Sequence, residues 1–202
     1  MKHKIFSITI LVVVLLMISL DVLALDRVVL VPTADIVGNK GFISGELIGS
    51  SYRQIEGLYN INSTTAVGGI IQDSNNGNDL EIGLMAKVVL AQENEFQPAI
   101  SVGLCKEDLY IAASKELGYG FRGHFGLGNG RFGGLFLGFS KTLNPVSIST
   151  ASKPSLPIIN LKGEYINEEV NFAVQMNLQD NIKIEVGLID MDRVKVGMGY
   201  LF

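Results

Sequence analysis

Apolar and polar residues alternate along most of this chain, and the alternation is cleanest over residues 158–202. Ile159, Leu161 and Tyr165 share one face of a segment whose other face carries Asn160, Lys162 and Glu164. Val170, Phe172, Val174, Met176 and Leu178 then oppose Asn171, Ala173, Gln175 and Asn177. Ile182, Ile184, Val186 and Leu188 oppose Lys183, Glu185 and Gly187. Val194, Val196, Met198, Tyr200 and Phe202 oppose Lys195, Gly197, Gly199 and Leu201. A period of two belongs to strands, whose side chains point alternately to opposite faces. The separators leave room only for tight turns, so these four strands form an antiparallel meander.

A less regular version of the pattern reaches back to Gly41. It predicts strands over residues 41–53, 56–61, 64–72, 80–91, 96–104, 109–115, 119–127 and 132–141. Asp73 to Asn78 and Gly128-Asn129-Gly130 read as turns, and residues 144–157, with Pro145, Pro154 and Pro157, as one long loop. The count is about 10–12 strands with 12 favoured, since an even number returns both ends to the same side. Twelve strands put the long loop on the side of the termini, the reverse of the usual bacterial arrangement.

The polar faces carry charge, which a protein core tolerates poorly, while the apolar faces are nearly unbroken. Lipid outside and a hydrated or ion-paired lumen inside explain both. The expected fold is therefore all-β: a single antiparallel up-and-down transmembrane β-barrel over residues 41–202. The acidic lumen candidates are Glu46, Glu81, Glu164 and Glu185. The basic ones are Lys87, Arg122, Lys162, Lys183 and Lys195, with His124 beside them. Two readings stand: these charges pair and plug a narrow barrel, or they line a small polar path.

Composition fits this picture. Hydrophobic residues make up 48% and charged residues 18%, with a mean hydropathy of +0.34. A barrel hides such apolar content at every second position. A soluble secreted or periplasmic β-barrel with a hydrophobic ligand inside is the alternative, although a soluble surface calls for more charge.

Residues 1–24 read as a secretory signal peptide. Lys2 and Lys4 precede an apolar run over residues 5–20, and Val22-Leu23-Ala24 is an acceptable cleavage site. An uncleaved anchor is the other reading of that run. Removing Lys2, Lys4 and Asp21 takes the formal charge from −4 to −5, which is no nucleic-acid footprint. Residues 25–40 precede the first clear strand and form either a periplasmic segment or a plug in the barrel mouth. Cys105 is the only cysteine, so no internal disulfide and no cysteine metal site is expected.

Chemistry is sparse. Gly126, Gly128 and Gly133 lack the helix that a nucleotide loop requires. Asp190-Met191-Asp192 reads as a solvated turn, and no His, Asp or Glu cluster has ligand spacing. His124 with Ser114 or Ser140 is the one pairing with nucleophile chemistry, and no acid is spaced to orient it. No cofactor, metal or catalytic residue is expected. Tyr52, Tyr59, Tyr119, Tyr165, Tyr200 and Phe202 sit near strand ends, where interfacial aromatic girdles form.

A set of short motifs runs in order through the chain: Pro32-Thr33-Ala34 with Gly41, Gly57-Leu58-Tyr59-Asn60, Met85 to Leu90, Pro98 to Leu104, Tyr110 to Lys115, Gly126 to Gly130, and Gly163-Glu164-Tyr165. Together they resemble the YjbH-like family of bacterial outer-membrane β-barrel proteins, which is associated with exopolysaccharide production. The resemblance implies an envelope or exopolysaccharide-related role and no catalytic residue set. The terminal strand resembles the aromatic ending of bacterial outer-membrane barrels, so Tyr200 and Phe202 are the expected signal for the barrel-assembly machinery. The expected protein is a non-enzymatic outer-membrane barrel with a structural role or a narrow pore. Its expected partners are lipid, that machinery, and polysaccharide or envelope proteins.

Overall fold

A computed structural model describes residues 27–36, 40–74, 80–144, 157–179 and 181–202. The leader read at residues 1–24 lies outside the described residues. The strands are β1 (Gly41–Ile48), β2 (Tyr52–Asn60), β3 (Thr65–Asp73), β4 (Leu80–Ala91), β5 (Ala99–Cys105) and β6 (Asp108–Gly118). They continue as β7 (Phe121–Gly128), β8 (Gly134–Thr142), β9 (Ile158–Ile166), β10 (Glu169–Gln179), β11 (Ile182–Ile189) and β12 (Arg193–Leu201). Each pairs antiparallel with its sequence neighbours, and β12 returns to β1 to close a twelve-stranded barrel. The seam ends in a reciprocal pair: Gly41 N–H to Phe202 O and Phe202 N–H to Gly41 O, both 3.0 Å. Closure removes the unpaired edges that an open sheet would leave.

Gly41 and Phe202 lie at one end, here the near end. The long connection between β8 and β9 belongs to that end as well. The far end carries the β1–β2, β3–β4, β5–β6, β7–β8, β9–β10 and β11–β12 turns.

Four departures from the pattern reading change where side chains point. The predicted strand over residues 41–53 is two strands joined by residues 49–51, with Gly49 at φ +57°. A three-residue turn preserves parity, so Glu46, Ile48, Tyr52 and Gln54 keep one alternation across it. β5 starts at Ala99 and not at Phe96, because the Asn94 side chain accepts the Phe96 and Gln97 N–H groups at 2.9 and 3.1 Å and curls the chain. Tyr119 lies in the β6–β7 turn at φ +53°. Beyond Asn129 the chain makes a 3-10 turn, Gly130–Phe132, where a simple hairpin and the start of a strand were expected. Asp108 causes it by accepting the Arg131 N–H at 3.2 Å. Phe132 is thereby swung inward against Tyr110, ring to ring at 5.1 Å.

The faces sort as the alternation requires. Ile82, Leu84, Leu127, Leu135, Phe172, Val196 and Met198 are exposed on the outer wall. Glu46, Glu56, Lys87, Lys162, Glu164, Glu185 and Lys195 are buried inside. An apolar exterior of this extent needs an apolar surrounding, which a bilayer supplies. The inverted arrangement required by a soluble barrel with an apolar interior is not the one observed.

Candidate functional site

The lumen is occupied by the chain's own residues 27–36. Val28, Val29, Val31 and Ala34 are at most 2% exposed. A β-bridge between Arg27 and Pro32, with Val28 N–H to Val31 O at 2.9 Å, bends the segment into a tight loop. The bend turns three successive N–H groups to one side, a concavity suited to an anion. Glu164 fills it, accepting from Val29 at 2.8 Å, Leu30 at 2.8 and 2.9 Å and Val31 at 3.0 Å. Asn171 donates to the same carboxylate at 3.0 Å.

Other lumenal side chains hold the rest of the segment's backbone. Lys195 donates to Val29 O at 2.7 Å, Lys162 to Arg27 O at 3.2 Å and Lys87 to Asp35 O at 2.6 Å. Ser114 Oγ accepts the Ala34 N–H at 2.8 Å. The three valines pack with Ile48, Ile70, Phe132, Phe136 and Ile189. Gly138 makes room for this contact, since a Cβ there would lie 2.9 Å from a Val28 methyl carbon. An irregular segment in such a place must have its polar backbone groups satisfied, and the barrel wall supplies the partners.

Charges in the lumen form an alternating chain. Lys162 meets Glu185 at 2.6 Å, Glu185 meets Lys195 at 2.9 Å, and Lys195 meets Glu46 at 3.2 Å. Arg27 continues it, 3.3 Å from Glu46 and 2.5 Å from Glu56. Burial works against the charge on Arg27, but the carboxylates of Glu46 and Glu56 outweigh it, and its pKa is raised well above the usual arginine value. Buried ions are tolerated because each has opposite partners.

Of the sequence-predicted lumen residues, Glu46, Lys87, His124, Lys162, Glu164, Lys183, Glu185 and Lys195 are all buried. Glu81 and Arg122 lie at opposite mouths. Glu81 pairs with Lys106 and accepts from Gln72 at 2.6 Å. Arg122 grips Asp35 with two bonds of 2.9 and 2.5 Å and reaches Glu93 at 2.7 Å. Pattern reading missed Glu56 and Gln54, which fell at a misplaced strand boundary, and Arg131, which fell in a predicted hairpin. Parity counted from Glu46 would have found the first two. Tyr52 is no girdle residue: its hydroxyl turns inward to Gln54 at 2.8 Å and Gln72 at 3.2 Å. Tyr59, Tyr119 and Tyr165 are exposed on the outside.

Ser114 and His124 are cross-strand partners, and Ser114 Oγ lies 2.8 Å from His124 Nδ1. Ser114 is 1% exposed and its oxygen already holds the Ala34 N–H. Among the described residues no carboxylate hydrogen-bonds the ring, so the pair anchors the segment and lacks the third member of a hydrolytic triad. Ser140 faces Arg122 across the β7–β8 ladder and is not bonded to His124. No group of three metal-ligating side chains occurs among the described residues. Spaces bordered by described residues include a pocket of about 40 Å³ beside Cys105 and Met85 and a far-end vestibule of about 300 Å³ lined by Tyr52, Gln72, Arg131 and Arg193.

No family model matches this chain, and no curated protein matches it. Among solved structures, it is similar to a KdgM porin in complex with disordered oligogalacturonate. The identity is 13% and the TM-score 0.51, with 81% of this chain and 99% of the porin covered. A second KdgM porin structure gives 13% identity over the same shares, with a TM-score of 0.48. The first likeness is one of fold.

Proposed function

We propose that this chain is a non-enzymatic outer-membrane β-barrel, closed by its own residues 27–36, with an envelope or exopolysaccharide-related role. The observation that carries the reading is the inversion of polarity across one wall: exposed apolar side chains outside, buried ion pairs inside. Only lipid outside and a polar filling inside make both faces favourable. The barrel likeness to a porin supports it. That porin's complex with oligogalacturonate, and the sequence resemblance to YjbH-like proteins, both favour a saccharide as the molecule handled. The near end then faces the periplasm, and the final strand with Tyr200 and Phe202 is the part offered to the barrel-assembly machinery.

Fractionation of the native host tests this, with gel mobility of the extracted protein before and after boiling. Recovery in the outer membrane with a faster unboiled band is the expected result. Recovery in the soluble fraction would overturn the membrane reading. Unchanged exopolysaccharide output in a deletion strain would overturn the envelope role and leave the barrel reading intact.

A further inference from the structure

One group of inward-facing side chains at the near end takes no part in holding the N-terminal segment. It spans β9, β10 and β11. Lys183 is only 5% exposed, and its ammonium makes no hydrogen bond or ion pair among the described residues. Glu185, two residues along on the same face, is bound to Lys162 and Lys195 at 2.6 and 2.9 Å.

The neighbouring amides have unspent donors too. Asn177 sits opposite Lys183 in the β10–β11 ladder. Its oxygen accepts from Gln175 at 2.9 Å, and its NH2 group has no acceptor among the described residues. Asn160 sits opposite Gln175 in the β9–β10 ladder. Its oxygen accepts from Thr142 at 2.7 Å, and its NH2 group likewise has no acceptor among the described residues. Across the seam, Lys183 faces Gly199 and next comes Ser44, so no carboxylate stands in those two wall positions. Lys183 is buried, so an ammonium there without a bound counterion is costly, while Asn177 and Asn160 are half-buried and keep their NH2 groups open to a ligand. Here three neighbouring strands present donors that have no acceptor among the described residues, while the two amide oxygens are already engaged.

We propose that Lys183, Asn177 and Asn160 form an oxyanion subsite at the near end of the lumen, taking a carboxylate or a phosphate group from a small ligand. Such a group supplies the negative charge that Lys183 lacks and several acceptor lone pairs for the two amides. The carboxylate source is a uronate-bearing saccharide, and the phosphate source is inorganic phosphate or a phosphate ester. The subsite does not depend on the saccharide role, because it stands on the donors that β9, β10 and β11 present.

Titration calorimetry of the full-length mature chain in detergent micelles tests it, with glucuronate, inorganic phosphate and uncharged glucose as probes. Heat-modifiable mobility is checked for each variant. Binding of glucuronate or phosphate, but not glucose, is expected. Lys183→Gln should weaken it by about tenfold or more, as loss of a charged hydrogen bond does. Asn177→Asp, which places a carboxylate opposite the ammonium, should weaken it similarly and serves if Lys183→Gln fails to fold. Lys40→Gln, at an exposed position outside the site, should change nothing. Preference for glucuronate assigns a uronate saccharide, and preference for phosphate assigns a phosphate ligand. No binding of either anion, or binding that is the same in Lys183→Gln and Asn177→Asp, would overturn the subsite.

Discussion

Lys195 on β12 and Lys183 on β11 are both buried on the inner wall of the same barrel, 1% and 5% exposed. Lys195 touches Glu185, Glu46 and the Val29 carbonyl. Lys183 touches no acceptor among the described residues. The charges in the middle of the lumen are paired because the chain's own residues 27–31 pass through it and the wall's charges are matched to that backbone. The near end of β9 to β11 is unsaturated because the segment takes another way out, held by Lys87, Ser114 and Arg122 on β4, β6 and β7. Burial alone therefore does not say what a lumenal charge is for; its partners do.

Exchanging the two lysines for an apolar residue of similar length breaks or sharpens this contrast. Lys195→Met leaves Glu46 and Glu185 short of a cation and is expected to cost about 3–5 kcal/mol. Lys183→Met removes an unpaired buried charge and is expected to be neutral or stabilising by about 1 kcal/mol. The midpoint of the heat-modifiable transition reads both. Equal losses in the two variants would erase the distinction between the regions.

Glu164→Gln comes next in size. It weakens the acceptor for three successive N–H groups, and a loss of about 2–3 kcal/mol is expected. Amide exchange of Val29, Leu30 and Val31 should quicken ahead of the strands, and unchanged protection there would refute the clasp. Ser114→Ala removes the acceptor of the Ala34 N–H and the hydrogen-bond partner of His124 Nδ1, for about 1 kcal/mol. Its amide-exchange effect should stay near residue 34 and leave residues 29–31 protected.

The smallest effect is set by pH at the near-end mouth. Glu93 accepts the Glu116 N–H at 2.8 Å and meets Arg122 at 2.7 Å. Desolvation opposes its charge, but that N–H and the arginine prevail and hold its pKa below the usual 4.5. A carboxylate whose folded pKa is depressed gives stability that is complete above the unfolded value and is lost as pH falls through the folded one. Protection of the Glu116 amide should thus persist at pH 5 and fade only at pH values clearly below 4.5. Fading already above that value would contradict the assignment.

The barrel itself was legible because a period of two survives wherever lipid lies on one side. The last four strands were readable almost residue by residue, since Asn167, Glu168, Asp190 and Met191 all take positive φ in turns too short to hide. The β1–β2 turn was illegible because three residues carry the alternation across it unchanged. Lumenal positions followed from parity, so Lys162, Glu164, Glu185 and Lys195 could be named from sequence. What they hold could not be named. Residues 28–31 read as a run of valines and a leucine, and nothing in that run announces that its N–H groups turn to Glu164. Lys183 shares the inward parity of Lys162 and Lys195, and only its lack of a bound carboxylate among the described residues sets it apart.

The central claim is that residues 27–36 close the barrel from within. Planar-bilayer recording of the purified mature chain and of a variant lacking residues 27–36 tests it most directly. The account predicts a silent or nearly silent wild-type barrel and a variant that conducts steadily while keeping its heat-modifiable mobility. Equal conductance from the two would contradict it, because the lumen would then be open with the segment present.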